Sequence, residues 1–176
     1  MPPAKIIHET ERLFLTEFDE ADTAFILELV NSEGWLKYIG DRQVRTPEAA
    51  LAYINNGPRR SYEKHGFGLY AVRLKDSGRP IGMCGLIKRD TLDAPDIGFA
   101  FLPAFAGKGY GYEAAACTLK HAREVLTLER ILAVTLPANE RSILLLEKLG
   151  LQSEVTISFP GSNDELLLYA TLPPKA

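Results

Sequence analysis

Cysteine is nearly absent from this sequence: two residues, Cys84 and Cys117, both in apolar surroundings, out of 176. Two widely spaced thiols make no disulfide framework, which excludes a stapled secreted scaffold and points to buried thiols in a reducing compartment. Histidine is also sparse. His8, His65 and His121 are scattered without ligand spacing, so no metal site is expected. No stretch approaches the roughly 18 apolar residues that mark a membrane span. The opening, MPPAKIIHETERL, carries no apolar signal-peptide core, and a cytoplasmic location is the expectation. Neither sign of charge dominates. A net charge of −3 supplies no bulk attraction to nucleic acid or to an anionic membrane. Repeats and low-complexity tracts are missing, and only the closing LPPKA reads as a loose tail. What remains, 46% hydrophobic and 24% charged, suits a single domain spanning residues 1–176 with a core of its own.

The apolar pattern sets out an order of elements. ERLFLTEF (11–18) alternates Leu13 and Leu15 with polar neighbours and reads as a strand. FDEADTAFILELVN reads as a helix with acidic residues in its first turn. Residues 31–44 are loop-like despite Trp35, Tyr38 and Ile39. TPEAALAYINN opens a second helix, with Thr46 as N-cap and Pro47 at the first helical position. GFGLYAVRLKD and RPIGMCGLIKR flank Ser77-Gly78 as a hairpin, and DIGFAFL follows as a third strand of that section. A helix runs from about Tyr110 to Leu126 with a stripe of Ala115, Leu119, Ala122 and Leu126. RILAVTL reads as a strand buried on both faces. ANERSILLLEKLG is a helix between Asn139 and Gly150. LQSEVTISF and DELLLYATL close the chain as strands around PGSN. This order predicts an α/β (α+β) fold: a mixed sheet of about seven strands with helices on its faces.

AFAGKGYGYEAAA (104–116) places Gly107, Gly109 and Gly111 at alternate positions between a strand and a helix. A helix start leaves backbone N–H groups without partners, and with the helix dipole these form an anion site. Glycines let a phosphate approach the main chain, and Lys108 adds a point charge at the rim. A turn needed only for tight packing would account for the glycines equally well. The Walker pattern fits poorly, because Gly109 rather than Ser or Thr follows Lys108. The dinucleotide pattern fits poorly, because the spacing is GxGxG and RILAVTL ends in Pro137 rather than an acid.

Three blocks together resemble the GNAT superfamily of N-acetyltransferases, and within it the branch of the ribosomal-protein N-terminal acetyltransferases. The family's Gln/Arg-x-x-Gly-x-Gly/Ala signature falls on Ala106-Gly107-Lys108-Gly109-Tyr110-Gly111. ANERSILLLEKLG resembles its Asn-x-x-(Ser/Ala)-x-x-Leu-Tyr-Glu-Lys-x-Gly-Phe helix, and TERLFLTEF is typical of this branch. The resemblance runs from Thr10 to about Leu172. It implies a GNAT-like, mostly antiparallel twisted sheet and acetyl-CoA as cosubstrate. The acceptor it implies is an amine, a protein or peptide N-terminus by the branch. A homodimer is common in the family. Two departures stand out. Ala106 replaces the usual Gln or Arg, and Leu146 stands where many members carry the Tyr proposed as general acid.

The resemblance also implies roles for particular residues. The pantetheine arm would pair with the backbone of Phe99, Ala100 and Phe101, and the pyrophosphate would sit on Gly107, Lys108, Gly109, Tyr110 and Gly111. Asn139 would touch the arm, and an ordinary N-cap is compatible with that. Asp96 is the candidate general base, although an Asp closing the DAPD turn reads equally well. Ser142 is the candidate acid or proton relay, with a first-turn Ser facing backbone or solvent as its alternative. Trp35, Tyr38, Asp41 and Arg42 lie where the family builds its substrate wall, with Trp35 read as packing. A non-catalytic acyl-CoA-binding domain and a dinucleotide-binding oxidoreductase are the rival readings.

Overall fold

A computed structural model describes residues 4–173, and the end of the expected tail, 174–176, lies outside them. The strands are β1 (Ile6–Glu9), β2 (Leu13–Thr16), β3 (Leu69–Leu74), β4 (Pro80–Ile87), β5 (Asp96–Phe101), β6 (Leu132–Thr135), β7 (Gln152–Ile157) and β8 (Leu166–Ala170). The helices are α1 (Thr23–Val30), α2 (Glu33–Tyr38), α3 (Pro47–Ile54), α4 (Arg60–His65), α5 (Tyr110–Glu124) and α6 (Glu140–Lys148). The strands form one sheet of eight in the order β1-β2-β3-β4-β5-β6-β8-β7, antiparallel throughout except between β5 and β6. This pairing is incompatible with the parallel, doubly wound sheet of a dinucleotide-binding fold.

Helices cover both faces. Alternation in β2 sends Leu13 and Leu15 to one face, where they join Val72, Cys84 and Ile97 beneath Ala115 and Leu119 of α5. Leu146 of α6 completes that layer. On the other face Ala71 and Met83 pack against Ile26 and Leu29 of α1, Trp35 of α2, and Ala50 and Ile54 of α3. Burying each of these large apolar side chains contributes about 1.5–3 kcal/mol. β6 is covered on both sides, as its continuous apolar run predicts: Ala133 belongs to the first layer and Leu132 packs with Ala94 and Leu168.

The helix ends follow local chemistry. Thr46 Oγ1 accepts from the Ala49 amide at 3.1 Å, with Pro47 opening α3. Asn139 Oδ1 accepts from the Ser142 amide at 3.3 Å at the start of α6. The departures from the sequence reading are short or interrupted elements. β1 is an eighth strand of four residues at the sheet edge. Residues 33–38, expected as loop, form a helix that buries Trp35. The helix from Pro47 does not stop at Asn56; it continues through a π-helical turn, Asn55–Arg59, into α4. That wider turn accommodates Pro58, which lacks the amide a regular helix would use.

β5 and β6 share a single register pair, Asp96 with Leu132, and then part. Beyond that point one edge of β5 has no strand partner among the described residues. A cleft of about 790 Å³ opens there, bordered by Gly98–Phe101 on one side and Ala133–Leu136 on the other.

Candidate active site

The glycine stretch forms one wall of this cleft. Gly107 and Gly109 have φ of +74° and +83°, which only glycine adopts without strain. The chain thereby turns from β5 into α5 through the short 3-10 turn Pro103–Phe105. The Glu113 amide donates to the Gly109 carbonyl, but the amides from Gly107 to Tyr112 meet no protein acceptor among the described residues. They form the row of unsatisfied donors that an anion site requires. Gly107, Gly109, Tyr110 and Gly111 border the cleft. Lys108 does not; its ammonium stands over the Phe105 ring, 5.7 Å from the centroid.

A brace missed by the sequence reading fixes this loop. Glu113 Oε1 accepts from the Thr10 hydroxyl at 2.6 Å and the Arg12 amide at 2.8 Å, and Glu113 Oε2 accepts from Arg12 Nε at 2.7 Å. Arg12 Nη1 donates to the Lys108 carbonyl at 3.0 Å, and the guanidinium covers the Tyr110 ring at 4.4 Å. Burial acts to raise the Glu113 carboxyl, but these hydrogen bonds and the Arg12 charge outweigh it and hold it below its ordinary range. Thr10 and Arg12 belong to the TERL block. Their pairing with Glu113 across a hundred residues left no signal in one sequence.

The opposite part of the cleft carries the titratable groups. Asp96 is buried at the point where β5 and β6 separate, and Arg89 Nε donates to its Oδ1 at 3.0 Å. Burial pushes this carboxyl above its ordinary range, with Arg89 opposing. Asp96 also borders the cleft. Asn139, Ser142 and the buried Leu146 border the cleft from α6. Asn139 acts as the N-cap, and its Nδ2 meets no protein acceptor among the described residues. Trp35, Tyr38 and Arg42 border the cleft, whereas Asp41 pairs with Arg45 at 2.7 Å away from it. Trp35 is a packed residue, as read, but its buried Nε1 has no hydrogen-bond partner among the described residues. Tyr53, Phe159 and Asp164 also line the cleft without having been singled out in the sequence.

The arrangement suits a thioester cosubstrate with a diphosphate and an amide-bearing arm. Free amides would meet the diphosphate, and the unpaired edge of β5 would offer main-chain groups to the arm. No group of three or more His, Cys, Asp or Glu side chains among the described residues is placed to hold a metal. No helix among them is long and apolar enough to cross a membrane.

A sheet that splits beside a glycine-rich helix start defines an acyl-CoA-type transferase site. Residues 12–152 match the family model described as an acetyltransferase (GNAT) domain. The chain belongs to this family of N-acetyltransferases. It is 31% identical over 145 residues to the uncharacterized N-acetyltransferase YnaD of Bacillus subtilis, with 82% of each chain covered. A GNAT-family acetyltransferase structure from Bacillus anthracis superposes with a TM-score of 0.76 at 28% identity, covering 93% of this chain and 96% of that one. A ribosomal L7/L12 alpha-N-protein acetyltransferase in complex with coenzyme A shares the fold, with a TM-score of 0.79 at 17% identity and coverage of 96% and 98%.

Proposed function

We propose that this chain transfers the acetyl group of acetyl-CoA to the α-amine of a protein or peptide N-terminus. One observation carries the reading. The unpartnered amides of Gly107, Gly109, Tyr110 and Gly111 belong to residues that border one cleft with the open edge of β5, Asp96 and Ser142. The loop amides hold the pyrophosphate, and Lys108 adds charge at the rim. Main-chain groups of Phe99, Ala100 and Phe101 pair with the pantetheine arm as an added strand, and Asn139 Nδ2 meets the same arm.

Acetyl-CoA supplies an activated acetyl group on a thiol leaving group whose pKa is about 8.5. A thiolate of that basicity departs without a strong acid, so Leu146 in place of a Tyr is tolerated, and the Ser142 hydroxyl suffices to steady the sulfur. Asp96 accepts the proton of the attacking amine. Its ion pair with Arg89 keeps it a modest base. An α-amine, with pKa near 7.8, needs only about 1 kcal/mol to be neutral at pH 7, whereas a lysine or polyamine nitrogen needs about 4.6 kcal/mol. The site's chemistry therefore matches the less basic amine. Fold does not make this choice. Similar folds include a putative ribosomal-protein-serine acetyltransferase and a spermidine N-acetyltransferase, at 19% and 18% identity. Residues 1–176 act as one catalytic domain, and the cytoplasm supplies both acetyl-CoA and the reducing conditions its free thiols require.

The test is an amine panel with acetyl-CoA, read by mass spectrometry. It includes free-N-terminal peptides, their N-blocked lysine-bearing counterparts and polyamines. Acetylation of the α-amine arm is the expected result. Coenzyme A binding without acetylation of any amine would overturn the catalytic reading in favour of a binding domain.

A further inference from the structure

A second depression, of about 430 Å³, adjoins the cleft and is bordered by Arg42, Arg60, Lys64, His65, Lys88 and Arg89. No Asp or Glu among the described residues borders it. We propose that this groove receives carboxylates of the acceptor, so that the amine acetylated belongs to a polypeptide with an acidic first few residues. The proposal rests on the acetyltransferase reading given above and adds the class of acceptor.

The charges in the groove are unspent. Several cations elsewhere are held by carboxylates: Arg12 by Glu113, Arg73 by Asp22 and Arg130 by Glu154. Here Arg42, Arg60 and Lys64 make no hydrogen bond or ion pair among the described residues. Lys88 Nζ reaches only the carbonyls of Arg89 and Leu92, at 3.1 and 3.3 Å. Only Arg89 has a carboxylate partner, Asp96. Arg60 and Lys64 stand four apart on α4 and so share a face, an arrangement that costs a helix stability rather than adding any. The π-helical turn before α4 borders the groove too, through Asn56, Gly57 and Pro58. In a chain of net charge −3, a concavity whose charged lining residues are all basic runs against the overall sign. Such a surface concentrates anions.

The groove and the cleft are continuous. Arg42, Tyr53, Leu69, Ile87 and Arg89 border both. An amine delivered to Asp96 therefore has its following residues beside Arg89 and Arg42, then Lys88 and Lys64. The cleft carries charges of both signs, Glu33, Asp96 and Asp164 together with Lys37 and Arg141, whereas the charged residues of the groove are all basic. A zwitterionic segment, cationic at its amine and anionic beyond it, fits that difference. A polyamine places further positive charge against the groove and is disfavoured.

The test measures binding and acetylation separately on the full chain saturated with coenzyme A. Anisotropy of labelled peptides compares Ser-Glu-Asp-Glu with its isosteric amide Ser-Gln-Asn-Gln and with Ser-Lys-Lys-Lys, and free glutamate is the competitor that distinguishes a small dicarboxylate from a polypeptide. The acidic peptide is expected to bind at least tenfold more tightly than the amide, with the advantage shrinking as salt rises. Arg60→Glu with Lys64→Glu should abolish that advantage while coenzyme A affinity and melting temperature stay unchanged. Lys88→Gln, a milder change, should reduce it several-fold. Equal affinity for acidic and neutral peptides overturns the groove proposal, even if both are acetylated. Tight, groove-dependent binding of the acidic peptide without acetylation supports the groove and overturns the acetyltransferase reading of this site.

Discussion

Asp96 carries two opposed influences, and together they separate its chemical role from a structural one. Burial raises its carboxyl and the Arg89 guanidinium lowers it, with burial prevailing. The folded state therefore holds the proton more tightly than the unfolded chain. Stability contributed by this group is present at low pH and is lost as pH rises from 3.8 through the raised value. A neutral isostere suffers no loss of favourable charge, so Asp96→Asn should melt within a few degrees of the parent. Its kcat/KM at pH 7 should nevertheless fall about 100-fold, the usual worth of a positioned base. The deficit should shrink above pH 8, where an α-amine is neutral unaided. An unaltered pH–rate profile would remove Asp96 from the proton path. At Gly109 the argument is steric. Its φ of +83° costs an L side chain roughly 1–2 kcal/mol. An added Cβ would also stand 3.2 Å from Arg12 Nη2, against the brace that fixes the loop. Gly109→Ala should weaken coenzyme A binding about tenfold by calorimetry. Unchanged affinity would show that the loop tolerates a different turn.

Elements with long periodic stripes or sharp caps were legible in the sequence. The stripe of α5 is buried at Ala115, Leu119 and Ala122, and the hairpin turns at Ser77-Gly78 with Gly78 at φ +71°. β1 escaped because four residues at a sheet edge, two of them exposed, leave no alternation long enough to read. α2 escaped because six residues containing Gly34 show no period, and α4 because a proline ordinarily ends a helix. The site divides along the same line. Glycines 107 and 109 were legible because backbone conformation leaves a compositional trace. The Arg12–Glu113 brace and the Arg89–Asp96 pair were not, because each joins segments whose proximity only the sheet creates. β1 has a consequence of its own. His8 packs its ring 4.3 Å from His121 of α5 and 6.0 Å from Tyr70. Burial, and then His121, lower its pKa from 6.5 to about 4. Because the folded value lies below the unfolded one, stability is complete above about 6.5 and is lost as pH falls toward 4. Burial lowers His121 as well, with the same sign. The melting temperature should drop over this interval, and His8→Phe should flatten the drop. Equal slopes for the two proteins would mean that β1 is anchored without the imidazole.

At the scale of the molecule the sheet is two sheets that touch. β1 to β5 form one part and β6 to β8 the other, joined edge to edge only at Asp96 and Leu132. The gap between them leaves main-chain groups of β5 unpaired, and an amide-bearing arm that fills it acts as the missing strand. Cosubstrate binding should therefore be read as stability of the whole chain. Ligand at 100 times its dissociation constant adds about 2.7 kcal/mol. For a domain of this size that corresponds to a rise in melting temperature of roughly 5–10 °C. Acetyl-CoA and coenzyme A should produce this rise equally, because the amides from Gly107 to Tyr112 and the edge of β5 address the parts the two share. NAD tests the division of labour. It presents a diphosphate to the loop but no arm to β5, so it should give little or no rise. Hydrogen exchange should slow at β5 and at the start of α5 only with the coenzyme A ligands. A rise with NAD equal to that with coenzyme A would reduce the site to its loop and remove the strand-like arm. No rise with coenzyme A would mean that the free amides serve some other anion, and the roles assigned to Asn139 and Ser142 would fall with them.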